Sequence, residues 1–139
     1  MLLTKECDYG VRVIRVLADG AKKTVAEICE AERIPGQYAY KILKKLERAG
    51  FLRILRGCGG GYELVKPLNT FTLYDVITAI EDKIFIFECL RDDKFCPFKI
   101  AQQPCAVHNE YERIQKMLAD ELRGKTMDEV LSQAGGPPA

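Results

Sequence analysis

The sequence offers little from which an enzyme, a membrane protein or a secreted mini-protein could be built. A single histidine stands among 139 residues, with no nucleophile motif and no paired acid and base beside it, so catalysis is not expected. No apolar run approaches the roughly 20 residues that a membrane span needs. The opening Met1-Leu2-Leu3-Thr4-Lys5 lacks the apolar stretch of a signal peptide, so a cytoplasmic protein without a membrane partner is expected. Excess charge of one sign is also missing: 21 basic residues stand against 20 acidic ones, and bulk composition does not mark a nucleic-acid binder. The six cysteines include no CxxC pair, which argues against a closed structural zinc site. No internal repeat is present.

What is present is enough apolar material, 47% of the chain, for one domain, or one small domain with an added dimerisation element. A core of that size does not need disulfides, so the cysteines read as metal or cluster ligands, reactive thiols or core residues. Cys7, Cys29 and Cys58 are scattered, whereas Cys89, Cys96 and Cys105 fall within 17 positions. The near-neutral balance also hides an asymmetry. Residues 1–70 carry 13 Lys/Arg against 8 Asp/Glu, and residues 71–139 carry 8 against 12. Between positions 33 and 56 seven basic residues face one acid, Glu47. A basic half on a neutral chain points to a local face for a polyanion.

Helix signals open the chain. Thr4 can cap a first helix whose apolar positions are Cys7, Val11, Ile14 and Leu17 or Ala18, ending near Asp19-Gly20. Thr24 and Glu27 form a capping box for a short second helix through Ile28 and Cys29. A turn at Glu32-Arg33 and Pro35 near a helix start introduce a third helix, which runs to Ala49 with Gly50 as its stop. Two short helices joined by a tight turn outline a helix-turn-helix. In the third helix Ile34, Tyr38, Ile42 and Leu46 form the inward stripe, while Gln37, Tyr40, Lys41, Lys44, Lys45 and Arg48 lie outward, a composition suited to phosphates and base edges.

A hairpin follows, with Phe51–Arg56 and Tyr62–Val65 as strands around Gly57-Cys58-Gly59-Gly60-Gly61. Glycines supply the positive φ angles of a tight turn. A hairpin directly after a helix-turn-helix is a wing, and Arg56 at its base can reach a phosphate or a narrow minor groove. The candidate DNA contacts are Gln37, Tyr38, Tyr40, Lys41, Lys44 and Lys45 on the helix, with Arg56 and Gly60 on the wing; Tyr38 or Tyr40 could meet a thymine methyl or a phosphate. Beyond the wing, Thr72 starts a helix carrying Val76, Ile77 and Ile80, residues 88–107 read as a loop, and a long helix runs from about Val107 to Leu122. Its apolar side, with Tyr111, Ile114, Met117 or Leu118, and Leu122, has nothing left in a small winged helix to cover it, so a homodimer is the natural outlet. Thr126 caps a last short helix.

These features resemble the IscR/NsrR/CymR family of bacterial winged-helix regulators. The resemblance rests on Leu3-Thr4, Tyr9-Gly10-Val11-Arg12, Ile34-Pro35, Leu46–Leu52, the wing Arg56-Gly57-Cys58-Gly59-Gly60-Gly61-Tyr62, Thr72–Ile77 and the three-cysteine segment. It spans roughly residues 1–132. It implies a mainly α fold with a small β-hairpin: a winged helix-turn-helix DNA-binding domain over 1–70 and a cluster-binding loop with long dimerisation helix over 71–132; beyond it, the Gly- and Pro-rich end reads as a disordered tail over 133–139. It implies a homodimer on double-stranded operator DNA, most simply a repressor, and in many members an iron–sulfur cluster that switches binding in response to redox state, nitric oxide or iron.

Thiolates held on a loop suit such a cluster. Cys89, Cys96 and Cys105, spaced C-x6-C-x8-C, supply three donors for a [2Fe-2S] or [4Fe-4S] centre. The fourth is His108, three residues after Cys105 as in IscR-like members, or Asp8, matching the carboxylate that NsrR-like members bring across the dimer. The rival readings are a cluster-free thiol-redox switch and a winged-helix protein regulated by a partner. Cys7 and Cys29 read as core residues, and Cys58 as an exposed wing thiol.

Overall fold

The computed structural model describes residues 3–91, 96 and 105–133. Helix α1, Lys5–Val16, starts where expected, the Cys7 amide donating to Thr4 Oγ1 at 3.3 Å. Its buried face is Cys7, Gly10, Val13 and Ile14, continued by Leu17; Val11, expected on that face, is half-buried. Gly10 explains the rotation. A Cβ there would lie 2.9 Å from Ile80 Cγ1, so the missing side chain lets the segment carrying Ile80 close directly onto α1.

The capping box of α2, Val25–Glu32, forms with both reciprocal bonds, 3.2 Å to Thr24 Oγ1 and 2.7 Å to Glu27 Oε2. Arg33 ends it in the left-handed region, φ 53°, a usual way to terminate a helix. Pro35 then caps α3, Gly36–Arg48. This short connection sets α3 against both α1 and α2, the helix-turn-helix arrangement. Ile34, Ile42 and Leu46 point inward as expected; Ala39 and Leu43 complete the buried face, and Tyr38 is half-buried.

Strands β1, Leu52–Leu55, and β2, Gly61–Leu64, pair antiparallel in the register Leu52↔Leu64 to Leu55↔Gly61. Lys23, in the α1–α2 connection, adds a two-way bridge to Tyr62, with N···O distances of 2.9 and 2.8 Å. The wing is therefore anchored to the chain ahead of α2. After a 3-10 turn at Leu68–Thr70, α4 covers Leu73–Ile80 behind its own capping box, Thr72 with Asp75. The segment expected to be a loop holds a 3-10 turn at Glu88–Leu90; positions 92–95 and 97–104 lie outside the described residues, as do 134–139, where the frayed tail was expected. Helix α5 is Ala106–Arg123 and α6 is Met127–Ser132, capped by Thr126.

One core serves all these elements. Ile14, Leu17, Ile28, Ile42, Leu46 and Phe71 are fully buried in a single cluster that Met127 of α6 joins, each contributing about 1.5–3 kcal/mol through burial. Phe51 meets Phe71 edge-on with centroids 4.8 Å apart. Helix α5 has no fully buried residue along its length and reaches the core through the half-buried Leu122. It is held to α4 by the Arg123 guanidinium over the Tyr74 ring at 3.7 Å. It is held to the segment before Cys89 by stacking of Phe87 on Tyr111 and by an Ile86 amide donating to Gln115 Oε1 at 3.0 Å. Among the described residues no helix is long and apolar enough to cross a membrane.

Candidate functional site

The outward face of α3 divides in two. Gln37, Tyr40, Lys41, Lys44 and Arg48 are exposed, Tyr40 at 65%, so a bulky aromatic stands in solvent beside three cations. Tyr38 and Lys45 sit at the flank that meets α1. The Tyr38 ring lies 5.5 Å from that of Tyr9, and Lys45 is half-buried, its Nζ donating to Ile80 O at 2.8 Å and to Glu6 Oε2 at 3.2 Å. Lys41 Nζ also donates to Glu6, at Oε1, 2.8 Å away. The Lys41 hydrogen bond is the main cause holding the Glu6 carboxyl below its ordinary range, with Lys45 assisting, and the same bond raises Lys41. Glu6 escaped the sequence reading because its partners are 35 and 39 residues away; no local pattern could have signalled it.

At the wing, Arg56 is exposed immediately after β1. Gly57 and Gly59 adopt φ of 95° and 75°, a region open to glycine at little cost. Gly60 is required for a different reason. A Cβ there would stand 2.2 Å from Leu55 O and 2.9 Å from Gly57 O, so its place at the wing is set by backbone packing inside the turn. Lys22 is a further cation that sequence reasoning missed: its Nζ lies 3.7 Å from where a Gly59 Cβ would be, brought there by the Lys23–Tyr62 bridge. Cys58 is an exposed free thiol.

Cys89 lies in the 3-10 turn, Cys105 caps α5, and both are half-buried free thiols, as is Cys96. The structure does not gather them: among the described residues no three Cys, His, Asp or Glu side chains stand close enough to hold a metal ion. His108 carries the site's most informative atom. Its Nε2 is 3.4 Å from Glu112 Oε1, whereas its Nδ1 is buried and has no hydrogen-bond partner among the described residues. A buried ring nitrogen left unpaired costs about 1–3 kcal/mol. A carboxylate on one ring nitrogen and a vacant lone pair on the other is the arrangement of metal-ligating histidines. Asp8 sits on α1 with its carboxylate 3.0 Å from Arg12, largely exposed. Thiols and an imidazole with a vacant nitrogen are donors that iron–sulfur centres accept, so the donor chemistry fits such a group.

Residues 3–133 match the Rrf2 family, described as iron-dependent transcriptional regulators. The chain belongs to the Rrf2 family. It is 30% identical over 134 residues to protein aau3 of Rhizobium meliloti (strain 1021), covering 94% of this chain and 85% of that one. Among solved structures the Rrf2-family fold is shared with CymR, the global cysteine regulator of B. subtilis, at a TM-score of 0.76 and 21% identity over 96% of this chain and 98% of the other. It is shared also with T. potens IscR, at 0.73 and 20% over 98% and 94%. The winged-helix fold and the kinship with IscR and CymR expected from the sequence are thus borne out. As an Rrf2-family member the chain is a DNA-binding transcriptional regulator.

Proposed function

We propose that this regulator is a homodimeric repressor whose operator binding is switched by a [2Fe-2S] or [4Fe-4S] cluster. Cys89, Cys96 and Cys105 would hold the cluster, with His108 or Asp8 as fourth ligand. The observation that carries this reading is the buried, unpartnered Nδ1 of His108, one helical turn beyond Cys105; it also favours His108 over Asp8. When bound, the group would supply a centre sensitive to oxidation, nitric oxide and iron supply.

The chain's own residues supply the reading of DNA and the transmission. Gln37, Tyr40, Lys41 and Lys44 present base-reading and phosphate-binding groups from α3, with Arg56 and Gly60 placing the wing on the flanking backbone. Tyr38 and Lys45 border α1 and orient the helix from its flank. The Cys89 turn is fastened to α5 through Phe87–Tyr111 and Ile86–Gln115, α5 to α4 through Arg123–Tyr74, and α4 packs on α1 and α3. A rearranged cysteine segment would therefore bias the pose of α3, acting through its different fit to two arrangements. Helix α5, with Met117 52% and Val107 56% exposed and no residue buried, presents the face on which a second copy would pack. The dimer would set two α3 helices in successive major grooves about 34 Å apart.

The separation of the three thiols among the described residues favours one second reading, a cluster-free thiol switch, and the structurally similar CymR is a global cysteine regulator. One experiment separates the two. On an operator duplex selected from random-sequence DNA, oxygen-free protein is expected to change its affinity by at least about tenfold when iron is removed by chelation. Superimposable binding curves would overturn the cluster switch.

A further inference from the structure

Glu6 makes a contact with the cationic face of α3 that the proposed function leaves unexplained. It stands in the first turn of α1, its side chain mostly covered at 18% exposure, while Lys41 remains 59% exposed. One carboxylate holds two of the three lysines of α3: Oε1 accepts from Lys41 at 2.8 Å and Oε2 from Lys45 at 3.2 Å. Lys45 has a second tether in Ile80 O, at 2.8 Å, and Thr4 Oγ1 donates to Glu81 Oε1 at 3.0 Å. The contact thus joins the start of α1, the exposed face of α3 and the end of α4. The N-terminal turn of a helix stabilises an anion, which favours the charged Glu6 carboxylate in the first turn of α1.

Lys41 shares its exposed face with Gln37, Lys44 and Arg48. A phosphate approaching that face must compete for the Lys41 ammonium with a carboxylate already in contact, and it meets that carboxylate's charge at close range. Resting on the DNA-binding reading, we propose that Glu6 is an intramolecular stand-in for a DNA phosphate. It occupies Lys41 and Lys45 in the free protein and lowers affinity for the DNA backbone. Any displacement of the first turn of α1 relative to α3 then changes how many ammonium groups α3 offers, which makes this contact a control point for affinity.

The test uses the full chain and a mixed-sequence duplex of about 30 base pairs, followed by fluorescence anisotropy between about 50 and 200 mM salt. Glu6→Gln is expected to bind more tightly at low salt. Its plot of log affinity against log salt should steepen by about 0.9 for each lysine released to a phosphate, an extra loss of roughly 3.5-fold per lysine across that range. Adding Lys41→Gln should cancel most of the increase, and Glu6→Asp, shorter by one methylene and still an anion, should give a smaller shift in the same direction. Far-UV circular dichroism checks that each variant keeps its helices. If Glu6→Gln and Glu6→Asp both reproduce the slope and affinity of a wild-type protein that binds the duplex, the proposal is overturned and the DNA-binding reading stands. If the wild-type chain shows no salt-dependent duplex binding, both fall.

Discussion

Gly60→Ala should disable the wing while leaving the helices intact. A methyl group at this position would begin 2.2 Å from Leu55 O and 2.9 Å from Gly57 O. Both are backbone atoms of the same turn, so no side chain can rotate away to make room. The turn must open, which breaks the hydrogen bond that the Gly60 N–H donates to Gly57 O, now 2.9 Å, or hold about 1–3 kcal/mol of strain. Either response moves Arg56 and loosens the start of β2. We expect near-native helical circular dichroism and affinity for duplex DNA lower by about tenfold or more, a loss of roughly 1.4 kcal/mol. Arg56→Ala provides the comparison, because it leaves the turn alone and removes one cation. Its salt dependence should flatten by about 0.9 in slope, the share of one phosphate. If Gly60→Ala binds like wild type, the wing takes no part in DNA contact.

Cys96→Ala should abolish the cluster and spare the fold. Cys89, Cys96 and Cys105 are half-buried and stand outside the buried core, whose apolar cluster runs from Cys7 to Met127 without them. Removing a thiol there creates no core cavity, so the stability of the iron-free protein should shift by no more than the roughly ±0.5 kcal/mol usual for surface substitutions, measured by thermal unfolding. A cluster that loses one of three thiolates loses a ligand that imidazole or carboxylate replaces poorly. The variant should therefore purify without visible absorption and with background iron and sulfide. A full cluster in Cys96→Ala would remove this cysteine from the ligand set.

The parts of the fold legible in the sequence are those set by neighbouring residues. Thr4, Thr24 with Glu27, and Thr126 each start a helix through bonds reaching three positions along the chain. The glycine run made the wing legible, because positive φ at Gly57 and Gly59 is a local demand. The extent of α5 was legible from its apolar period. What escaped was set across the fold. The inward face of α1 turned on Gly10, whose role appears only once Ile80 is packed against it. Lys45 shared the helical spacing of a DNA contact, yet Glu6 and Ile80 O hold it at the flank. Lys22 reached the wing through a bridge between residues 23 and 62. In the cysteine segment the ligand set rests on the cysteine spacing and the resemblance. The orphaned Nδ1 of His108 was not legible, since it depends on burial.

The most direct test of the cluster switch is the iron and acid-labile sulfide content per chain, with a visible spectrum, on protein purified without oxygen. Coloured protein with about two or about four iron atoms and matching sulfide is the predicted result. Protein that stays colourless and free of iron after reconstitution would contradict the cluster switch, and regulation would then rest on the thiols themselves or on a partner.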